Sequence, residues 1–562
     1  MAFFLKKSTK KNRTYLAIYE SFYNPTKKQT AHRTYKSLGS IETLIEQGIN
    51  DPISKFQKEV DQLNLDLKTQ KDLKVSDVSP EVYLGYFPIK SIINKLDVKK
   101  YIEYFNKYNN FDFDLYQLIT SLIYARSVNP CSKNKTFHQV LPNLLESHDY
   151  SYDQLLTGLE FIGNNYNKFI EIFTTQLKSK YQLNTKTTYF DCTNFYFEID
   201  RQDDFRKPGP SKENQTSPIV GLGLLLDSNQ IPIGMKMYPG NQSEKPVIRE
   251  IIDDLKKQNN VSGKTILVAD KGLNCAENIA FARENNDGYI FSKSVKTLPA
   301  SEKEWVLLDK DYKTVYDENK KIKYKYKSCV DKFPYTIDFG GIKKKVLLTE
   351  KRLLSYNPDL AAKKRYEINK MVEKVKSLTY SQAKKSEYGV NSKYVNFVDE
   401  DGVKASTIIN QDAIDKDLLL AGYNLIVTSE IDMDDQDLYN VYHNLWRIEE
   451  SFKIMKSDLD ARPVFLQKEG SIKGHFLICY LTVLLERIFQ FYTLKNNYSS
   501  SEIYKFIKQF RAVKIESRYI NLTTMSKFLN DLSNIFDLPL TNYFLSEPQI
   551  KSIINYKIKS KY

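Results

Sequence analysis

Residues 187–293 constrain the fold more than any other stretch. TTYFDCTNFYFE (187–198) is rich in threonine and aromatic residues and reads as a strand. IVGLGLLLD (219–227) and PIGMKMYPGN (232–241) read as two more, joined by the turn residues Ser228 and Asn229. An amphipathic helix, PVIREIIDDLKKQ, leads to a fourth strand, TILVAD, and the helical NCAENIAFARENN leads to a fifth, GYIFSK (288–293). Three meandering strands followed by strand, helix and strand predict an α/β sheet in which the first and fourth strands can be neighbours. That arrangement brings together Asp191, which interrupts the first strand, and Asp270, at the carboxyl edge of the fourth. Each also has a plainer reading: Asp191 as an edge or solvent-facing strand residue, Asp270 as a cap for the helix that follows.

A third carboxylate lies far downstream, on YHNLWRIEESFKIMK (442–456). At about 100° per residue, Val441, Leu445, Ile448, Phe452 and Met455 form an apolar stripe that seats a helix on a core. Tyr442, Glu449 and Lys456 form a second stripe at its margin, and Glu450 falls about 180° away, toward water. An ordinary amphipathic helix with a surface glutamate has the same pattern. Asp432 and Asp434 are candidate N-caps, and Pro463 ends the helix.

The remainder bounds the class. A chain of 562 residues exceeds one core and predicts roughly three to five domains. Its 83 Lys+Arg against 69 Asp+Glu give a net +14, which favours a polyanionic partner. Residues 1–40 carry Lys6, Lys7, Lys10, Lys11, Arg13, Lys27, Lys28, Arg33 and Lys36 against the single acid Glu20, on a predicted hairpin turning at Asn24-Pro25. Such a hairpin suits a phosphate backbone, or is a solvated basic tail. The five cysteines lie far apart without metal-ligand spacing, so neither a zinc site nor a disulfide framework is expected, and the reading is of a reducing, cytosolic protein. The apolar run Phe476–Leu485 is broken by Glu486 and Arg487, and no membrane partner is expected. KIKYKYK (321–327) alternates lysine with Ile322, Tyr324 and Tyr326, and AAKKRYEINKMVEKVKSL reads as a basic helix. Trp305 reads as a buried aromatic, or one that stacks on a base, and His475 as structural.

TTYFDCTNFYFE, TILVADKGLNCAENI and Tyr442-x2-Leu445-x3-Glu449-x6-Lys456, in this order, resemble the DDE transposases of bacterial insertion sequences, in the branch with a Tyr-Arg-Glu-Lys signature on the helix of the third carboxylate. PGNQSE (239–244) resembles that family's Gly-Asn-x-x-Glu segment, and RKPGPSKENQ (206–215) its Gly-x-Ser-Lys loop; ARSVNPCSKNKTF and the basic start extend the likeness over essentially the whole chain. One position departs: Leu445 stands where the signature has Arg, and Arg447, nearby, is on a different face.

The resemblance implies an α/β, RNase H-like catalytic core interrupted by a β-rich insertion domain, after a basic N-terminal hairpin and a mainly helical region. The corresponding divisions are a hairpin over 1–40, a helical, DNA-binding region over 41–185, core over 186–295, insertion over 296–430, core with the glutamate helix over 431–490, and a C-terminal helical region over 491–562. It also implies that Asp191, Asp270 and Glu449 are both catalytic residues and ligands of Mg²⁺, for which Mn²⁺ can substitute, with two ions about 3.5–4 Å apart. Tyr442, Lys456, Arg447 and Lys212 are the implied DNA contacts. The implied activity is cleavage and strand transfer, cut-and-paste, on double-stranded DNA (terminal inverted repeats and target), by a homodimer in the synaptic complex and in the cytoplasm at the nucleoid. The alternatives are an RNase H-like nuclease without strand transfer, a non-catalytic DNA-binding derivative and, in another chemistry, a glycosidase with paired carboxylates.

Overall fold

The computed structural model describes residues 2–10, 13–24, 29–71, 80–199, 202–209, 217–258, 261, 263–339, 342–380, 385–400, 403–515 and 518–558. It divides into two compact units, Met1–Ser79 and Pro80–Tyr562. In the first, Arg13–Asn24 and Gln29–Ser40 pair antiparallel, as the basic hairpin requires, and Ala2–Lys10 adds a third strand. Leu16 meets Leu44 and Phe56, from the helices Ile41–Glu46 and Pro52–Lys71, in a small core. Glu20 pairs with Arg33 at 2.7 Å, while Lys6, Lys7 and Lys10 are exposed.

The second unit is built on a nine-stranded sheet. Its order is Lys313–Tyr316, Ile322–Phe339, Ile342–Tyr356, Tyr423–Thr428, Gly288–Lys293, Ile266–Ala269, Thr187–Tyr196, Ile219–Leu226 and Pro232–Pro239. The first and fourth strands of the 187–293 run, which their sequence order allows to be neighbours, are adjacent and parallel, and the fifth is parallel to the fourth. Helix Val247–Lys257 covers one face through Val247, Ile248, Ile251, Ile252 and Leu255, which recur at helical spacing. The opposite face packs into a larger core shared by the helices between Phe87 and Lys180 and by the helix Glu469–Ile488.

That last helix is apolar all round because it is enclosed all round. The span Glu469–Thr493 is long and apolar enough to cross a membrane, yet its most apolar window is 83% buried in the unit. Tyr152–Asn164 approaches it closely at glycines: a Cβ on Gly163 would lie 1.7 Å from the Gly470 carbonyl oxygen, and one on Gly474 2.1 Å from that of Leu159.

The interval 296–430 contributes strands to the same sheet rather than only hanging from it. Ile322–Phe339 and Ile342–Tyr356 form a long antiparallel ladder, followed by the helix Pro358–Tyr380 and a two-stranded sheet, Val395–Glu400 with Val403–Ile409. The lysine-bearing side of KIKYKYK is covered in its second half alone: Lys327 Nζ donates to the carbonyls of Trp305 and Leu308, both at 2.6 Å, and Lys325 pairs with Asp309 at 2.6 Å, while Lys321 and Lys323 are exposed. Trp305 is half-buried under Lys327. Near the chain's end, Arg511–Ile515, Arg518–Asn521 and Phe544–Ser546 form a small sheet with Glu81–Tyr83. All five cysteines are free thiols.

Candidate active site

Strand register places the first two carboxylates. Phe190 pairs with Ala269 in the parallel ladder, so Asp191 and Asp270 stand side by side one step further on. Alternation sets which way they face. Tyr189 and Val268 belong to the larger core and Phe190 and Ala269 to the opposite one, so Asp191 and Asp270 share the face of Tyr189 and Val268. This is also the layer that buries Ile448 and Phe452. Asp270 lies at the carboxyl end of its strand, where open α/β sheets bind ligands.

The Asp270 side chain does not cap the turn that follows it. Instead its Oδ1 accepts from Ser292 Oγ at 2.8 Å and from the Tyr442 hydroxyl at 3.1 Å, two donors on one oxygen that fix the carboxylate's rotation. Asp191 Oδ1 accepts from the Cys192 backbone N–H at 2.7 Å. Ser292, on GYIFSK beside the Asp270 strand, was not singled out by sequence; the only signal is a small hydroxyl in an otherwise apolar strand.

The third carboxylate arrives on a broken helix. Asp434 caps it, accepting from the N–H groups of Gln436 at 2.7 Å and Asp437 at 3.4 Å, and the first segment runs Asp435–His443. Around Asn444 and Leu445 the bonds tighten to i→i−3: Leu445 N to Tyr442 O and Arg447 N to Asn444 O, both 3.1 Å, and Ile448 N to Leu445 O, 3.0 Å. The helix resumes at Trp446–Lys453 and ends in a wide turn, Ile454–Asp458, before Pro463 is reached. The apolar stripe still seats as predicted, with Ile448, Phe452 and Met455 buried and Leu445 packed against them. Glu449 is exposed at the margin of this interface.

Tyr442 ties these groups together. Its hydroxyl proton is held well above the ordinary range, first by burial and then by the negative charge of Asp270, with Glu449 adding to it. Lys456 Nζ lies 5.5 Å from the ring of Phe195, on the Asp191 strand. Arg447 points elsewhere: its guanidinium lies 4.6 Å from the Trp446 ring and 5.3 Å from that of Phe491, and burial lowers its pKa. Lys212 lies outside the described residues.

Glu450 does not face water as uniform 100° steps place it. Its Oε2 lies 3.0 Å from Nη2 of Arg487, whose side chain is 1% exposed. The atoms are close but not aligned as a hydrogen bond, so this contact is Coulombic. The reason is tertiary: Arg487, on the helix Glu469–Ile488, covers the side of Trp446–Lys453 opposite the apolar stripe.

Among the described residues, no three His, Cys, Asp or Glu side chains form a group that holds a metal ion. In donor chemistry, Asp191, Asp270 and Glu449 nevertheless suit a hard divalent cation: all are carboxylates, two stand on adjacent strands and one of these is already rotationally fixed.

The family model of the transposase DDE domain matches residues 197–485, just over half the chain. The chain belongs to that family. The match takes in Asp270 and Glu449 and starts just past Asp191. Transposases of this kind are DNA-acting enzymes that use divalent metal. No curated protein matches the chain.

Proposed function

We propose that this protein is the transposase of an insertion sequence, which binds the ends of its element, cleaves the DNA strand and transfers it. Asp191, Asp270 and Glu449 are the catalytic carboxylates and the ligands of Mg²⁺, or of Mn²⁺ in its place. The observation that carries the reading is the Tyr442 hydroxyl, bonded to Asp270 and under the charge of Glu449, beside the strand that bears Asp191. The divalent cations, when bound, offset the three negative charges and polarise the scissile phosphate. The chain's own groups do the positioning. Tyr442 and Ser292 hold Asp270 in one rotation, and Lys456, at the side of the Asp191 strand, is a point charge for a neighbouring phosphate. Arg447 and Lys212 are assigned to DNA by resemblance alone.

The sheet order, with an antiparallel pair on one side of the Asp191 strand and two parallel strands on the other, supports an RNase H-like core over 186–295 and 431–490. The interval 296–430 is its insertion, 41–185 the helical DNA-binding region and 491–562 the C-terminal region. The basic sheet of the first unit supports a role along a phosphate backbone. Joining two element ends calls for at least two protomers, and the protein works at the nucleoid in the cytoplasm.

Glu449→Gln tests the reading. It is expected to abolish cleavage of a duplex carrying the element end while leaving DNA affinity within about twofold, because the residue is exposed and removes one charge without loosening the core. Cleavage at the wild-type rate would contradict it. A nuclease that cuts without joining is separated by supplying a 3′-hydroxyl end and target DNA: joined product supports transposition, and cleavage alone supports the nuclease.

A further inference from the structure

The second unit contains a cavity of about 690 Å³ apart from the carboxylates, between ARSVNPCSKNKTF and the segment that follows the Glu449 helix. Cationic side chains crowd it: Arg126, Lys133, Lys135 and Arg462 all line it, against one acid, the exposed Asp460. Two of these side chains are buried, Lys133 at 6% and Arg126 at 4% exposure, and burial, with the charge of Arg126, lowers the Lys133 pKa from 10.5 to about 7, so that an entering anion would favour its charged form.

Among the described residues, their hydrogen-bond partners are neutral. Arg126 donates from Nη1 to the Leu459 carbonyl at 3.2 Å and from Nη2 to that of Cys131 at 2.9 Å. Lys133 Nζ lies 3.1 Å from His475 Nδ1, while His475 Nε2 lies 3.0 Å from the Ala461 carbonyl oxygen. A carbonyl accepts only, so Nε2 carries the imidazole proton, Nδ1 is the acceptor and Lys133 is the donor. His475 is therefore a fixed prop for the lysine. An arginine does not shed its charge, and a buried cation without a counter-ion is costly. The open side of the cavity is where that counter-ion can enter.

The position of the cavity indicates what carries the negative charge. Arg462 lies with its guanidinium 4.9 Å from the Tyr196 ring, on the same strand as Asp191. Five residues of extended strand span ~17 Å, about five base-pair steps of 3.4 Å. Phe465 on the rim is 72% exposed, an apolar ring beside a cationic floor, which suits the alternation of base and phosphate in a nucleic acid strand.

We infer that this cavity seats a backbone phosphate of the bound DNA about five steps from the scissile one, with Lys133, Arg126 and Arg462 around it and Phe465 against the neighbouring base or sugar. The inference rests on the reading of this protein as a DNA transposase and adds a site that fixes where the strand runs after it leaves the carboxylates.

The test is DNA binding by the full chain, followed by fluorescence anisotropy over a salt series. Lys133→Met keeps the length of the side chain and removes its charge. It is expected to weaken binding about tenfold and to reduce the slope of log affinity against log salt by about 0.9, one phosphate contact. Lys133→Arg retains the slope, and Glu449→Gln, which stops cleavage, also keeps it. Wild-type affinity and slope in Lys133→Met overturn the inference. If that variant does not fold, Arg462→Gln on the half-buried rim carries the same expectation and the same refutation. Failure of the wild-type protein to bind any duplex overturns the transposase reading itself. In that case, a saturable rise in melting temperature with inorganic phosphate, lost in Lys133→Met, assigns the cavity to a free anion and overturns its assignment to DNA.

Discussion

Glu450→Gln is expected to destabilise the second unit far more than Glu449→Gln, although the two residues are adjacent. Glu450 Oε2 lies 3.0 Å from Arg487, whose side chain is 1% exposed, while that of Glu450 is 23% exposed. Unit charges ~3 Å apart attract by roughly 5 kcal/mol at an effective dielectric constant of ~20, and removing one partner of a buried pair costs about 3–5 kcal/mol. The partial exposure of Glu450, and the Glu486 carboxyl 3.9 Å from Arg487 Nε, reduce the expectation to about 2–3 kcal/mol. Glu449, exposed at the interface margin, is expected to change stability by no more than about 0.5 kcal/mol when made neutral. Urea unfolding followed by tryptophan fluorescence reads this, because Trp446 lies in the same helical segment and is half exposed. A double-mutant cycle with Arg487→Met is expected to show a coupling of about 2 kcal/mol. Equal midpoints for the two glutamine variants, or no coupling, would refute the assignment of Glu450 to the core and Glu449 to the site.

Three further outcomes follow from the same geometry. Glu486 is fully buried with neither oxygen in an aligned hydrogen bond, and burial pushes its pKa from 4.5 to about 7. A raised folded-state pKa gives stability that is present below pH 4.5 and lost as pH rises to about 7, so Glu486→Gln is expected to match the wild type at pH 4.5 and exceed it by about 3 kcal/mol above pH 7; a gap independent of pH would contradict this. Gly474→Ala is expected to lower the melting temperature sharply, because its Cβ would lie 2.1 Å from the Leu159 carbonyl oxygen and force two core helices apart at a cost of about 3 kcal/mol or more; an unchanged melting temperature would refute that packing. Tyr442→Phe removes one of the two donors on Asp270 Oδ1 and is expected to slow cleavage about 10–100-fold with DNA affinity unchanged, whereas a loss confined to affinity would assign Tyr442 to DNA instead.

The sheet was legible because its signals are local. Strand and helix periods in 187–293 fix the alternation of elements, and that alternation allows the first and fourth strands to be neighbours, the pairing that sets Asp191 beside Asp270. The apolar stripe of the helix that carries Glu449 was legible for the same reason. What failed was the assumption that the side opposite the stripe meets water: Arg487, on another helix, covers Glu450 there, and the tightened turn at Asn444 and Leu445 has no strong sequence mark, neither proline nor glycine. Ser292 and the Lys133–His475 pair depend on contacts across 22 and 342 residues, which one-dimensional patterns do not carry. The alternation of KIKYKYK puts its lysines on one face, but that the 305–309 segment covers Lys325 and Lys327 there is a tertiary fact.

The most direct measurement is cleavage of a duplex bearing the element end by the wild-type protein, Asp191→Asn, Asp270→Asn, Glu449→Gln and the paired variants, with DNA affinity measured alongside. If the three carboxylates act as one centre, each single change lowers the rate by at least ~1000-fold, a second adds little to the first, and affinity is kept. Wild-type cleavage by any one of the three, or losses that simply multiply, would contradict a shared centre.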